Sequence, residues 1–520
     1  MDNSNKTGLA QFADNLKSVK SSFVGSFSRG GWPTSDKGRT STVVNNFFLH
    51  LHTAKTHINT LKPSYTLGMG LISFFLLVIA FISGGFLMVY YSPSTTTAFN
   101  AVKDINFVVF GGQLMRNIHK WSGEAMIIFV ILHMVRIVYT NSYKQGREFN
   151  WVIGIVLLIL TFVLNLTGYM LPWDQLSYWA LVIVANIAAA PKELTDIFNG
   201  MFGITLPDIG GATKEVLLGG TEPGQESLTR VYLLHILLLP LAICVFLGVH
   251  FFRIRKDGGL TRPANVSAGS GESIISPPEK KGGIFPTHKT YGLMELSKGR
   301  TPAVDTDIEN TVTSWPNLFI AEIAVFMFTL AAVVAYSYFF DAPLKEYANP
   351  MIPENPAKAP WYFLGLQELV SYSAFMGGQG LPGLALAGLI AIPFLDRENR
   401  DIGIWFTNKQ GKAIAIESFI VGSVAVIGTL AFVVTQGWFR EWWPEIHQLW
   451  IVAINPGNLL LGFVMVYTLW VIKRTNSTRM GAISLITFFL VCYVILTYTG
   501  TVLRGPNWVF YWSPSDWPIH

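Results

Sequence analysis

The sequence predicts an all-α polytopic membrane protein: a four-helix bundle, a three-helix domain and two extra transmembrane helices. Three observations carry that prediction. The 520 residues are 51% hydrophobic and only 13% charged, where a soluble chain carries about 25% charged residues. Apolar runs long enough to cross a bilayer core of about 30 Å recur along the chain. Between them the basic residues gather in alternate connections, as the positive-inside rule requires. A β-barrel would instead show short segments of alternating polarity.

The first 62 residues are polar and basic. They lack a short apolar core followed by small residues at a cleavage site, so they read as an N-terminal cytoplasmic segment rather than a signal peptide. Nine apolar runs follow, at about 65–90, 121–140, 151–171, 231–252, 316–340, 378–395, 414–436, 456–472 and 481–500. With the N-terminus inside, the inner segments 1–63, 141–150, 253–315, 396–413 and 473–480 hold 26 of the 37 Lys and Arg residues. The odd number of spans places the C-terminus outside. Expected domains are 1–62, the four-helix bundle at 63–256, a Gly/Ser/Pro/Lys-rich linker at 257–312, the three-helix domain at 313–437, and the two-helix extension with an outer tail at 438–520. A net charge of +5 without a basic run gives no sign of nucleic-acid binding. The two cysteines, Cys244 and Cys492, sit inside apolar runs and no CxxCH is present. A standard covalent c-type haem attachment is therefore missing from the chain.

The second run, RNIHKWSGEAMIIFVILHMVRI, holds His119 and His133 fourteen residues apart. At about 100° per residue that is about 40° short of four turns, so both imidazoles share one face, about 21 Å apart. The fourth run repeats the device with His235 and His250 fifteen apart, about 60° past four turns. The two helices are antiparallel by topology. His119 therefore comes level with His235 near the outer side, and His133 with His250 near the inner side. Ionisable groups inside a membrane are rare and mostly functional. Two matched pairs at two depths suit two noncovalent bis-histidine b-type haems, with these four residues as the iron ligands.

Glycines give a second signature. Gly70 and Gly84 in the first run, and Gly154 and Gly168 in the third, repeat the fourteen-residue spacing. Glycine costs about 1 kcal/mol relative to alanine inside a helix but lets another group approach the backbone. These four are read as notches for the flat macrocycles, Gly84 and Gly168 at the outer level, Gly70 and Gly154 at the inner. Arg116 and Arg136, each three residues from a histidine, are placed to pair with haem propionates. Arg255 in HFFRIRKDG is assigned to cofactor binding as well.

These residues, with GYMLPWDQLSYWA (168–180) and LTRVYLLH, resemble cytochrome b of the Rieske/cytochrome b (quinol–cytochrome c or plastocyanin reductase) family over about 63–437. The fifteen-residue histidine spacing and LPWDQ are closer to the short cytochrome b of chloroplasts and cyanobacteria. Trp315 to Trp438 resembles the separate three-helix subunit that accompanies it, here fused into one chain. The resemblance implies a subunit of a quinol-oxidising enzyme. Quinol or quinone would be the substrate, and a Rieske iron–sulfur protein and a c-type cytochrome subunit would be partners. It also implies a homodimer in a multisubunit complex of the bacterial cytoplasmic membrane. One electron from quinol would go to the Rieske protein and the other through the outer and then the inner haem.

Two departures stand out. The family's quinol-oxidation motif is Pro-Glu-Trp-Tyr; here Ala359-Pro360-Trp361-Tyr362 puts a proline at the glutamate position. Another proton acceptor is then needed. Glu368, eight residues on, is the first candidate and Asp174 in the PWDQ loop the second, with Trp361 and Tyr362 lining the quinol pocket. Trp173 is a further pocket candidate. The chloroplast-type relative holds an extra haem through a cysteine in its first helix; no cysteine precedes Cys244 here. The altered motif keeps open a second role, a dihaem anchor relaying electrons between quinone and an attached oxidoreductase without bifurcation. A transporter would show inverted repeats and broken helices, and the sequence has neither.

Overall fold

The computed structural model describes Lys17 and residues 33–46, 49–144, 146–203, 205–257, 259–260, 311–398 and 401–518. Most of the expected linker at 257–312 and much of the N-terminal segment lie outside the described residues. Among those described, nine helices are long and apolar enough to cross a membrane, and each coincides with one of the nine apolar runs. The first three are α1 (Met69–Tyr90), α2 (Gly112–Tyr139) and α3 (Glu148–Tyr169). After the shorter α4 (Gln175–Ala189) come α5 (Gln225–Lys256) and α6 (Ser314–Phe339). The short α7 (Trp361–Val370) precedes α8 (Met376–Leu395), α9 (Lys409–Trp442), α10 (Pro456–Thr475) and α11 (Thr478–Leu503). A two-stranded antiparallel ribbon, β1 (Lys55–His57) with β2 (Thr311–Thr313), ties the segment before α1 to the segment before α6.

Within the bundle α1 lies along α2 and α3 along α5, while α6 packs on α1 and α2 and α8 on α3. Helix α5 is not uniform. Residues Leu234–Leu238, which include His235, form a π segment. Pro240 stands two residues past its end, and proline supplies no N–H and clashes with the carbonyl four residues back, that of Ile236 inside the segment. A π turn takes up one extra residue. The fifteen-residue interval to His250 therefore spans what fourteen span in α2, and the angular mismatch between the two histidine pairs largely disappears.

The last two spans are not peripheral. Helix α11 packs against α7, α9 and α10 and touches α2, and 56% of its apolar window is buried, the largest share of the nine. Helices in a membrane associate through small residues and interhelical hydrogen bonds. Here the fully buried Ser418 and Ser484 hydroxyls meet at 3.1 Å, around Val426, Val471, Ile483 and Phe488. A buried polar cluster fixes one end of α11. Asp396 takes the Lys144 ammonium at 2.8 Å and the Tyr143 hydroxyl at 2.6 Å. Arg479 lies 3.8 Å from the same carboxylate and donates to the Val138 carbonyl at 2.7 Å. The α2–α3, α8–α9 and α10–α11 connections thus gather on one face, three of the five segments that the charge pattern assigns to one side. On the opposite face Tyr347 reaches Thr95, and Lys358 reaches Thr501.

Candidate functional site

The fold brings His119 on α2 and His235 on α5 together, their ring centroids 6.1 Å apart and their planes nearly perpendicular at 84°. Two iron–nitrogen bonds of about 2 Å, plus about 1 Å from each nitrogen to its ring centre, call for about 6 Å. Each Nδ1 meets a helix carbonyl: His119 that of Ala80 at 2.9 Å, His235 that of Leu164 at 3.1 Å. With Nδ1 as the donor, each Nε2 keeps its lone pair for a metal. Neither Nε2 has a hydrogen-bond partner among the described residues. Both rings line a cavity of about 470 Å³ that also reaches Gly84, Gly168, Arg116, Asp174 and Tyr362. This donor set and cradle fit a bis-histidine haem.

The glycines explain how the imidazoles get there. A Cβ at Gly84 would lie 2.9 Å from His119 Cε1, one at Gly168 2.7 Å from His235 Cε1, and one at Gly70 2.9 Å from His133 Cε1. Ala80 and Leu164, whose carbonyls take the Nδ1 hydrogens, stand four residues before Gly84 and Gly168. In a helix that carbonyl already accepts the glycine N–H, and the missing side chain opens it to a second donor. The notches at 70, 84 and 168 therefore hold the edge of an imidazole, which corrects the reading that the macrocycle alone fills them. Gly154 differs: a Cβ there meets nothing within 4 Å. Two hydroxyls missed in the sequence complete one end. Ser83 Oγ lies 3.2 Å from His119 Nδ1 and Thr167 Oγ1 3.1 Å from His235 Nδ1. Their signal was available, since each directly precedes its glycine, whereas Gly70 and Gly154 follow Met69 and Ile153.

His133 and His250 are neighbours at the other end, with Arg136 close by. The His250 ring lies near the backbone of Asn150, four residues before Gly154, and its Nδ1 has no regular hydrogen bond. Arg136 is 4% exposed, stacks its guanidinium 5.2 Å from the Tyr65 ring centre, and leaves Nε and Nη2 without partners. Two orphaned donor nitrogens on a buried cation suit an anion such as a haem propionate. Arg116 is already engaged, donating to the Ala342 and Pro343 carbonyls at 2.9 and 2.6 Å. Arg255 donates to the His50 carbonyl.

The candidate proton acceptors separate clearly. Glu368 is fully buried. Arg504 donates to it twice, at 2.9 and 2.5 Å, Trp508 Nε1 at 3.1 Å and the Tyr372 hydroxyl at 3.1 Å. Four donors fill its acceptor sites, and it does not line the cavity. The expected role of Glu368 as acceptor gives way to a structural one: it anchors the C-terminal tail, through Arg504 and Trp508, to α7. Asp174 lines the cavity but caps α4, accepting from the Ser177 N–H at 2.9 Å, the Ser177 hydroxyl at 2.8 Å and the Lys345 N–H at 2.9 Å. Trp173 packs into a hydrophobic cluster with Tyr178 rather than on the cavity. Tyr362 does line it, 3% exposed, and Trp361 turns its indole N–H toward Glu124 on α2.

The family described as Cytochrome b(N-terminal)/b6/petB matches residues 124–350. Cytochrome b6 of Acaryochloris marina (strain MBIC 11017) is 40% identical over 181 residues, 35% of this chain and 77% of that protein. Cytochrome b6 of Heliomicrobium gestii is 38% identical over 211 residues, 40% of this chain and 92% of that protein. Among solved structures, a chain of "Hyperthermophilic respiratory Complex III" superposes with a TM-score of 0.53 at 23% identity, covering 86% of this chain and 94% of that one. That likeness speaks to the fold.

Proposed function

We propose, from the premise that the chain belongs to the cytochrome b/b6 family and is a multi-pass membrane subunit of an electron-transfer complex, that it serves a quinol-oxidising complex, with two b-type haems at the two histidine levels and a Rieske iron–sulfur protein as the other electron acceptor. The observation that carries this reading is the His119–His235 pair, 6.1 Å apart, with both Nδ1 atoms held by carbonyls. When bound, haem supplies reversible one-electron chemistry between the helices. The chain's own residues position and tune it. His119 and His235 would hold one iron and His133 and His250 the other, with Arg136 binding propionate oxygen. Tyr362 and Trp361 would form the wall against which quinol lies, close to the His119 level.

The basic connections support an inner side that carries the α2–α3, α8–α9 and α10–α11 turns, with the tail outside, in a bacterial cytoplasmic membrane. The quinol wall then lies toward the outer side. A c-type cytochrome subunit and a second copy of the chain complete the proposed assembly. The domain boundaries proposed are 63–256, 313–437 and 438–520, with the last interlocked with the second through α11.

The test is quinol addition to the purified complex. Bifurcation requires that b-haem reduction by quinol depend on an oxidised iron–sulfur partner. Equal reduction after that partner is removed would favour the dihaem anchor, the reading that Pro360 supports. No reduction by any quinol would remove both.

A further inference from the structure

Pro360 occupies the position where the family carries its glutamate, and proline has no group to take a proton. We propose that Glu124, on α2, accepts a proton from the bound quinol, a role that rests on the quinol-oxidising reading above. Glu124 lies one helical turn past Lys120, with its side chain 14% exposed. Its Oε2 faces the Trp361 indole N–H at 3.3 Å, and its Oε1 is met by the Lys120 ammonium. Lys120, Gly123, Tyr169 and Tyr362 all line the cavity that holds the His119–His235 pair. Glu124 is not itself part of that lining; it follows Gly123, which is, lies one turn past Lys120, which also is, and faces the motif tryptophan, where the displaced carboxylate is needed.

The neighbouring groups divide the roles. A carboxylate has about four acceptor sites; Glu124 has two donors, whereas Glu368 has four. Asp174 spends its oxygens on the α4 cap and the Lys345 N–H. Burial, then Glu124, Tyr169 and Tyr493, push the Tyr362 hydroxyl well above its ordinary range, so Tyr362 can donate a hydrogen bond to quinol but keeps its own proton. The charged and titratable groups that face Glu124 are Lys120 on its own helix, Tyr169 on α3 and Tyr362 on α7. Lys120 also lies 5.3 Å from the Tyr169 ring centre, which holds it beside the carboxylate.

In the step, quinol loses two electrons and two protons and becomes quinone. The electrons leave to two one-electron acceptors, metal centres of the complex. One O–H bond breaks and its proton forms an O–H bond on a Glu124 oxygen; the second proton leaves toward the iron–sulfur partner.

The test uses the assembled complex. Glu124→Gln is nearly isosteric and should lower the maximal rate of quinol oxidation about 10²-fold or more. Haem content should stay unchanged, and the acid limb of the rate profile should be lost. Glu124→Asp should regain part of the rate. A wild-type rate and profile in Glu124→Gln would overturn the assignment. If the Gln variant fails to assemble, infrared difference spectra decide. Quinol addition should raise a protonated-carboxyl band in the wild type that shifts in Glu124→Asp, and a band unmoved or missing would overturn the proposal. Failure of wild-type complex to oxidise quinol would instead sink the functional reading itself.

Discussion

At the His119–His235 end of the bundle, both Nδ1 atoms reach helix carbonyls, a hydroxyl stands beside each, and the rings open on a cavity of about 470 Å³. At the His133–His250 end the same spacing gives a barer site. His250 Nδ1 lacks a regular hydrogen bond, Gly154 faces open space, and the buried Arg136 leaves two of its donor nitrogens unpaired. A buried unsatisfied donor costs about 1–3 kcal/mol, more for a charged group. The first end is organised by the chain alone. The second carries a polar demand that a bound anion would meet. The difference teaches that a repeated sequence device does not give two equivalent sites, and that they should respond unequally to substitution.

The largest expected contrast is between the two arginines. Arg136→Leu should loosen the haem of the His133 level about 10- to 100-fold, the worth of about 1.5–3 kcal/mol for a hydrogen bond to a charged group. The haem of the His119 level should keep its affinity. Arg116→Leu should act more weakly on its own haem, because that guanidinium is already spent on the Ala342 and Pro343 carbonyls. Haem retention during dialysis of the detergent-solubilised complex measures both, and equal losses would erase the distinction.

A smaller contrast runs through the glycines. Alanine at 84, 168 or 70 would place a methyl within 2.7–2.9 Å of an imidazole carbon. The ring must then turn, and its Nδ1 hydrogen bond weakens by about 1 kcal/mol. Each variant should shift the midpoint potential of its own haem by a few tens of mV, at about 59 mV per factor of ten, and change its low-spin resonance. Gly154→Ala should leave both potentials in place. A shift for Gly154→Ala as large as that for Gly168→Ala would return all four glycines to one common role.

Much of this was legible in the sequence because the signals are local. Hydropathy marked all nine spans, and helical period placed each histidine pair on one face. Pro240 foreshadowed the π segment that reconciles fifteen residues with fourteen. Pairings across long separations were not legible: Glu368 finds Arg504 136 residues later, and nothing in either stretch announces it. Glu124 was in plain view as a carboxylate within an apolar run, where ionisable groups are costly and usually functional. Its meaning came only when the fold set it against Trp361. The tail beyond α11 likewise had no assigned task until Arg504 and Trp508 closed on Glu368.

The central claim is that four histidines hold two haems in the pairs His119–His235 and His133–His250. It is tested most directly by the b-haem content and low-temperature spectra of the assembled complex carrying each histidine singly replaced by alanine. We expect each variant to keep about half the wild-type b-haem absorbance, since each haem needs two axial ligands. His119→Ala and His235→Ala should lose one spectral component, and His133→Ala and His250→Ala the other. Full haem content in any of the four, or a loss that pairs the histidines differently, would contradict the account.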